Sequence, residues 1–332
     1  DLRHPRNFLN REWSLQHFHQ RVFEHAADPE TPLLERLRFV TIVSMILDEF
    51  YEVRVARLKQ QKAFGLTRDE PDGQSGPETL RRISETAHGL VAAQYRLLNE
   101  EILPALQAEG IRLLSPADWS PELREWVRTH FAEEVLPVLT PVGLDPAHPF
   151  PKILNQSLNF IVALKGKDAF GRASRFAVVQ APRSLPRVIA VPPSHCEGKE
   201  CFVLLSSMIS EHVGQLFTGM KILGCHQFRV TRNSDLWVEE EDVDDLLEAL
   251  AGELPSRGYG AAVRLEVASN CPEDITRFLL ERFRLDDEDT YLVDGPVNLT
   301  RLATIYDMVP RPDLKYPPFV PGLPRKAGSH LD

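Results

Sequence analysis

The sequence predicts an α+β protein in two parts: a three-helix bundle followed by a larger domain with a mixed or antiparallel sheet. Three observations predict it. Apolar residues recur near the 3.6-residue period through three long segments before residue 110. Short β-type runs then alternate with helical patterns from residue 110 to about 315. The chain has 332 residues, against domains of about 100–200 residues, so two domains are expected, divided near Gly110.

The first helix is predicted over 11–27, where Trp13, Leu15, Phe18, Val22, Phe23 and Ala26 form a stripe and Asn10 is the N-cap. Pro29 and Pro32 mark a turn, with Asp28 or Thr31 able to cap the second helix. That helix, 33–64, is apolar nearly all round as far as Phe50, which predicts burial on more than one side; Gly65 closes it. An exposed loop over 67–77 leads to a third helix, 78–109, stopped by Gly110. A helix over 123–136 comes next. The proline density of 137–151 argues there for an extended connection without regular structure. Strands are expected over 158–164, 175–180, 188–191, 221–231 and 261–267, and helices over 202–216, 238–252 and 272–283. The proline-rich stretch 310–322 reads as an ordered linker.

Composition is ordinary for a globular chain, with 43 % hydrophobic and 26 % charged residues, and the net charge is −10. That balance argues against a general nucleic-acid coat, which needs a basic surface. No apolar run approaches the ~20 residues of a bilayer span. The four cysteines lack zinc-knuckle spacing, although His195, Cys196 and Cys201 are neighbours, and reduced thiols in the cytoplasm are expected. The chain begins with Asp1 rather than Met, and the reading is that it is a piece of something longer.

No phosphate-binding loop, zinc-binding His–Glu–x–x–His or nucleophile elbow is present. His17 and His19, two apart on a helix, point in different directions, so a shared metal is not expected. The carboxylates of 239–245 and 286–289 read as solvated acidic faces. Asp48 and Glu52 share a face inside the apolar second helix; ionised groups there need partners from another helix, another domain or a ligand, and a buried structural network is the favoured reading.

The ordered motifs carry a resemblance. Phe8–Leu9–Asn10–Arg11–Glu12, Pro32–Leu33–Leu34–Glu35–Arg36–Leu37–Arg38–Phe39 and Leu47–Asp48–Glu49–Phe50–Tyr51 come first. Leu139–Thr140–Pro141, Asp145–Pro146–Ala147–His148–Pro149–Phe150–Pro151, Asn155–Gln156–Ser157–Leu158–Asn159, Asp294–Gly295–Pro296–Val297–Asn298–Leu299 and Leu314–Lys315–Tyr316–Pro317–Pro318–Phe319 come after them. Together the chain resembles the N-terminal and head domains of bacterial polyphosphate kinases of the long, histidine-phosphorylated type.

The resemblance implies a reversible transfer of the terminal phosphate of ATP to inorganic polyphosphate, with Mg²⁺. It implies a helical N-terminal domain (1–109) closing over the adenine end of ATP, a head domain (110–315) making homo-oligomer contacts, and a linker (316–332) toward two phospholipase D-like domains absent from this chain. The catalytic histidine and the phosphate-binding arginines would lie in those domains, so no catalytic residue and no metal ligand are expected here, and the piece alone is expected to be inactive. The nucleotide-facing set would be Met45, Ile46, Asp48 and Glu49, with Ile46 and Met45 standing where the family has asparagines. The first helix departs too: Trp13–Ser14–Leu15 reverses the family's Leu–Ser–Trp order, and His19 replaces an asparagine. A cytoplasmic enzyme, at most peripheral to the inner membrane, is implied. A divergent non-catalytic paralogue, kept as an interaction module, is the alternative.

Overall fold

The computed structural model describes residues 4–65, 71–144, 150–167, 174–234 and 260–319. The expected acidic helix at 238–252, the motif residues 145–149 and the linker beyond 319 lie outside the described residues.

Helix α1 (Arg11–Ala27) starts where Asn10 accepts hydrogen bonds from the backbone N–H groups of Glu12 and Trp13 at 3.0 and 3.2 Å. Helix α2 (Leu33–Phe50) runs through one π-helical turn (Tyr51–Val55) into α3 (Ala56–Ala63), and Gly65 ends the run at φ +67°. No side chain caps α2, whose N-cap is Pro32; Asp28 instead accepts from the N–H of Glu30, so the cap expected from Asp28 or Thr31 is not made. The third long helix is α4 (Gly76–Leu97), a π turn (Leu98–Ile102) and α5 (Leu103–Ala108). Gly110 at φ +80° then turns the chain into strand β1 (Ile111–Leu114).

The second part is built on two sheets. A three-stranded sheet has the order β1-β6-β5, with β5 at Val188–Ala190 and β6 at Glu200–Leu204. A six-stranded sheet has the order β2-β4-β3-β7-β8-β9: β2 (Thr140–Leu144), β3 (Asn159–Lys165), β4 (Phe176–Gln180), β7 (Lys221–Arg232), β8 (Ala262–Ala268) and β9 (Thr290–Val293). All its pairs are antiparallel except β8–β9, so the sheet is mixed. Helices α6 (Pro121–His130), α7 (Leu205–His212), α8 (Glu273–Phe283) and α9 (Ala303–Met308) complete the described part.

Alternation along the strands sorts the core into two layers. Phe160, Val162 and Leu164 of β3 pack with α6, α7 and the small sheet, while Ile161 packs with Phe228, Val230, Leu265, Val267 and α8 on the other face. Two expectations are corrected. Residues 200–204, which overlap the helix expected over 202–216, form β6, because Phe202 and Val203 are buried between β1 and β5. Residues 140–144, where prolines argued against regular structure, form β2; it is the edge strand, where Pro141 costs the sheet no interior hydrogen bond.

The bundle does not close on itself. Its core takes in Tyr291, Val293, Val297, Leu299, Leu302, Ile305 and Val309 from the end of the described chain. Glu35, buried on α2, accepts from the Tyr306 hydroxyl at 2.8 Å and the Tyr316 N–H at 3.0 Å.

Candidate functional site

The six-stranded sheet meets the bundle through charged residues. Antiparallel register sets Arg229 of β7 opposite Glu266 of β8, and Thr231 opposite Arg264. Since Phe228, Val230, Leu265 and Val267 belong to the apolar layer, Arg229, Arg264 and Glu266 turn to the opposite face. Asp48 of α2 lies there. Arg229 donates to both Asp48 carboxylate oxygens, from Nη1 at 2.7 Å and Nη2 at 2.8 Å, and Arg264 Nη1 donates to Asp48 Oδ1 at 3.4 Å. Glu266 pairs with both arginines. All four residues are at most 3 % exposed, and two cations balance two anions.

The partners foreseen for Asp48 therefore come from another domain. The same geometry removes Asp48 from the nucleotide-facing set, because its carboxylate is committed to two guanidinium groups and closed off from solvent.

The network is capped by aromatic rings. The Arg264 guanidinium lies 5.1 Å from the Tyr51 ring centre and 4.8 Å from that of Tyr291. The two tyrosine hydroxyls share a hydrogen bond, and burial pushes the Tyr51 hydroxyl up to about 12 and raises that of Tyr291. His88 of α4 stacks on Tyr291 at 4.0 Å. One turn along from Asp48, Glu52 accepts amide hydrogen bonds from Asn155, at 2.6 Å, and from Gln156. Burial raises its carboxyl, and those two amides oppose the rise.

The other residues of the set point outward. Met45 is 56 % exposed, Ile46 is half-buried and Glu49 is exposed. Met45 and Glu49 are four apart and share a face. That face offers apolar contact beside one carboxylate and has no amide to bond a base. A cleft of about 530 Å³ lies farther along, between α3 and the turn from α8 to β9; Lys59, Lys62, Phe64, Arg284, Asp286 and Glu288 line it. Its charges are mixed, and Lys59 is already paired with Asp289. Sequence reasoning missed this cleft, because it arises only where two distant segments meet.

His19 is buried and His17 exposed, as the helical spacing requires. Cys196 and Cys201 are buried in the core beside α6 and α7; the Cys196 thiol donates to the Val191 carbonyl at 3.5 Å, and burial pushes it up to about 12. Among the described residues no group of three His, Cys, Asp or Glu side chains is placed to hold a metal, and no helix is long and apolar enough to cross a membrane.

The fold and the site define a class of protein in which a helical N-terminal unit is joined to an α+β unit through a buried ion network rather than a flexible tether. The comparisons give the class its family. The model of the polyphosphate kinase N-terminal domain matches residues 8–114, and that of the polyphosphate kinase middle domain matches residues 122–305. The chain belongs to the polyphosphate kinase family. It is 51 % identical over 318 residues to a polyphosphate kinase of Pseudomonas syringae pv. tomato, covering 96 % of this chain and 43 % of that protein. It is 51 % identical over 322 residues to one from Neisseria gonorrhoeae, covering 97 % and 47 %. The crystal structure of polyphosphate kinase from Porphyromonas gingivalis is similar to 95 % of this chain and 43 % of its own, with a TM-score of 0.75 at 27 % identity. The chain thus spans a little under half the length of these relatives.

Proposed function

We propose that this chain is the nucleotide-side half of a polyphosphate kinase, which transfers the terminal phosphate of ATP reversibly to inorganic polyphosphate with Mg²⁺. The observation that carries the reading is the match of two consecutive family domains, in order, over nearly the whole chain. In this reading residues 1–109 form the lid over the adenine end of ATP, with Met45 and Ile46 packing against the base and Glu49 at the rim. Residues 110–315 make the contacts between copies in a homo-oligomer. The phosphoryl chemistry belongs to the part of the family's enzyme that this chain does not span.

The test is ATP-dependent polyphosphate synthesis by the chain joined to its downstream coding sequence. Polyphosphate formation, reversed on adding ADP, is the expected result; the 332-residue chain alone is expected to turn over no ATP. Restoring one amide hydrogen bond with Ile46→Asn is expected to lower the KM for ATP with kcat unchanged, since such a bond is worth about 1 kcal/mol. A second reading, a non-catalytic interaction module, is favoured by the loss of amides at 45 and 46. Absence of any synthesis by the longer protein would select it.

A further inference from the structure

Three arginines at the junction of the two sheets and the bundle have no counter-charge among the described residues. Arg187 and Arg301 line a small cavity of about 20 Å³ together with Ser206 and Asn298, the scale of a single water molecule. Arg187 Nη2 donates to the Ala181 carbonyl at 3.0 Å, but its Nη1 is buried with no hydrogen-bond partner among the described residues. Arg183, on the same loop, donates to the Asn155 carbonyl at 2.5 Å. Arg301 is exposed, and its guanidinium has no partner among the described residues.

None of the three makes an ion pair among the described residues. The charged groups acting on Arg187 are Arg301 and Arg183, both positive, and with burial they push it down to about 10. In a chain of net charge −10, an unbalanced cluster of cations is a local reversal. Each guanidinium presents a planar fork that matches phosphate oxygens. A cavity of that size admits a water beside Arg187 and not a phosphate, so Arg187 contributes charge while the exposed Arg183 and Arg301 are open to an anion.

We propose that Arg183, Arg187 and Arg301 form a binding site for a phosphate chain. Charge counting favours a chain over a single ion. Three guanidinium groups exceed the charge of one orthophosphate, whereas a chain carries negative charge on every phosphate along its length. The site deepens the function proposed above and rests on it for the substrate class: it would hold a stretch of the chain that is being extended or shortened.

The test is calorimetric titration of the full 332-residue chain at low salt with tripolyphosphate and, separately, orthophosphate. Tripolyphosphate is expected to bind the more tightly. Arg301→Gln and Arg183→Gln, both at exposed positions, are each expected to weaken it about tenfold, the loss of one charge-assisted hydrogen bond. Unchanged circular dichroism checks their fold. No binding by the unaltered chain, equal affinity for the two ligands, or unaltered binding in the Arg301 and Arg183 variants overturns the proposal. The same variants in the longer, active protein separate the two ideas. Synthesis with an unchanged KM for polyphosphate sinks the site and leaves the function standing. Loss of tripolyphosphate binding in a protein that makes no polyphosphate does the reverse.

Discussion

Asp48 carries the interface between the two halves of the molecule. Removing one member of a buried, hydrogen-bonded ion network leaves its partner charged and unpaired, at a cost of about 3–5 kcal/mol. Asp48→Asn is therefore expected to lower the stability of the chain by that order, measured as the shift in urea midpoint at constant slope; a loss below ~1 kcal/mol would show that the network is not closed to water. His19 gives a pH-dependent signature. It is 1 % exposed against the Phe50 ring, and burial pulls it from 6.5 to about 4. Between those two values the unfolded chain takes up a proton that the folded chain refuses. Its contribution is thus intact above about pH 7 and is lost as pH falls toward 4. Glu52, with its carboxyl raised, has the opposite sign, because the folded chain holds a proton there that the unfolded one releases. Comparing urea midpoints at pH 7 and pH 5 isolates the His19 part: the drop is expected to be smaller in His19→Leu than in the unaltered chain.

Among the elements, the bundle helices obey their local signals because apolar periodicity and glycine stops agree, even in α2, which no side chain caps. Gly110 shows how sharp such a signal is. It sits at φ +80° with open space where a Cβ would be, so Gly110→Ala meets only the backbone cost of the left-handed region, about 1–2 kcal/mol. A thermal shift matching that cost is expected; no shift would mean that the α5–β1 turn relaxes freely. The elements that depart from their local signals are those governed by their neighbours. Residues 202–204 carry an apolar run that suits a buried strand or a buried helix equally well, and pairing with β1 and β5 decides for the strand. Pro141 stands in a strand only because β2 has no neighbour on one side.

At the scale of the whole molecule, the shared core argues against two independent units. The bundle buries Tyr291, Leu299, Leu302 and Ile305 from the far end of the described chain, and the Asp48 network ties α2 to β7 and β8. Scanning calorimetry is therefore expected to show a single cooperative transition, with residues 1–109 alone exposing apolar surface and binding a hydrophobic dye. Two separated transitions would sink this view.

The sequence by itself determined the three long helical segments of the bundle, strands β3, β4, β5, β7 and β8, the family and the isolation of Asp48 among apolar residues, because periodicity, turn residues and ordered motifs are local properties. Tertiary structure alone decided that Arg229 and Arg264 are the partners of Asp48, that the candidate ligand face narrows to Met45, Ile46 and Glu49, and that Arg183, Arg187 and Arg301 gather without a counter-charge among the described residues. Asp48 and Arg229 are separated by 181 positions, and no spacing rule along a chain reaches that far. The alternation of Arg229 with Phe228 and Val230, and of Arg264 and Glu266 with Leu265 and Val267, was the local sign that strands turned charges toward a partner, and only the packing of α2 against that face supplied it.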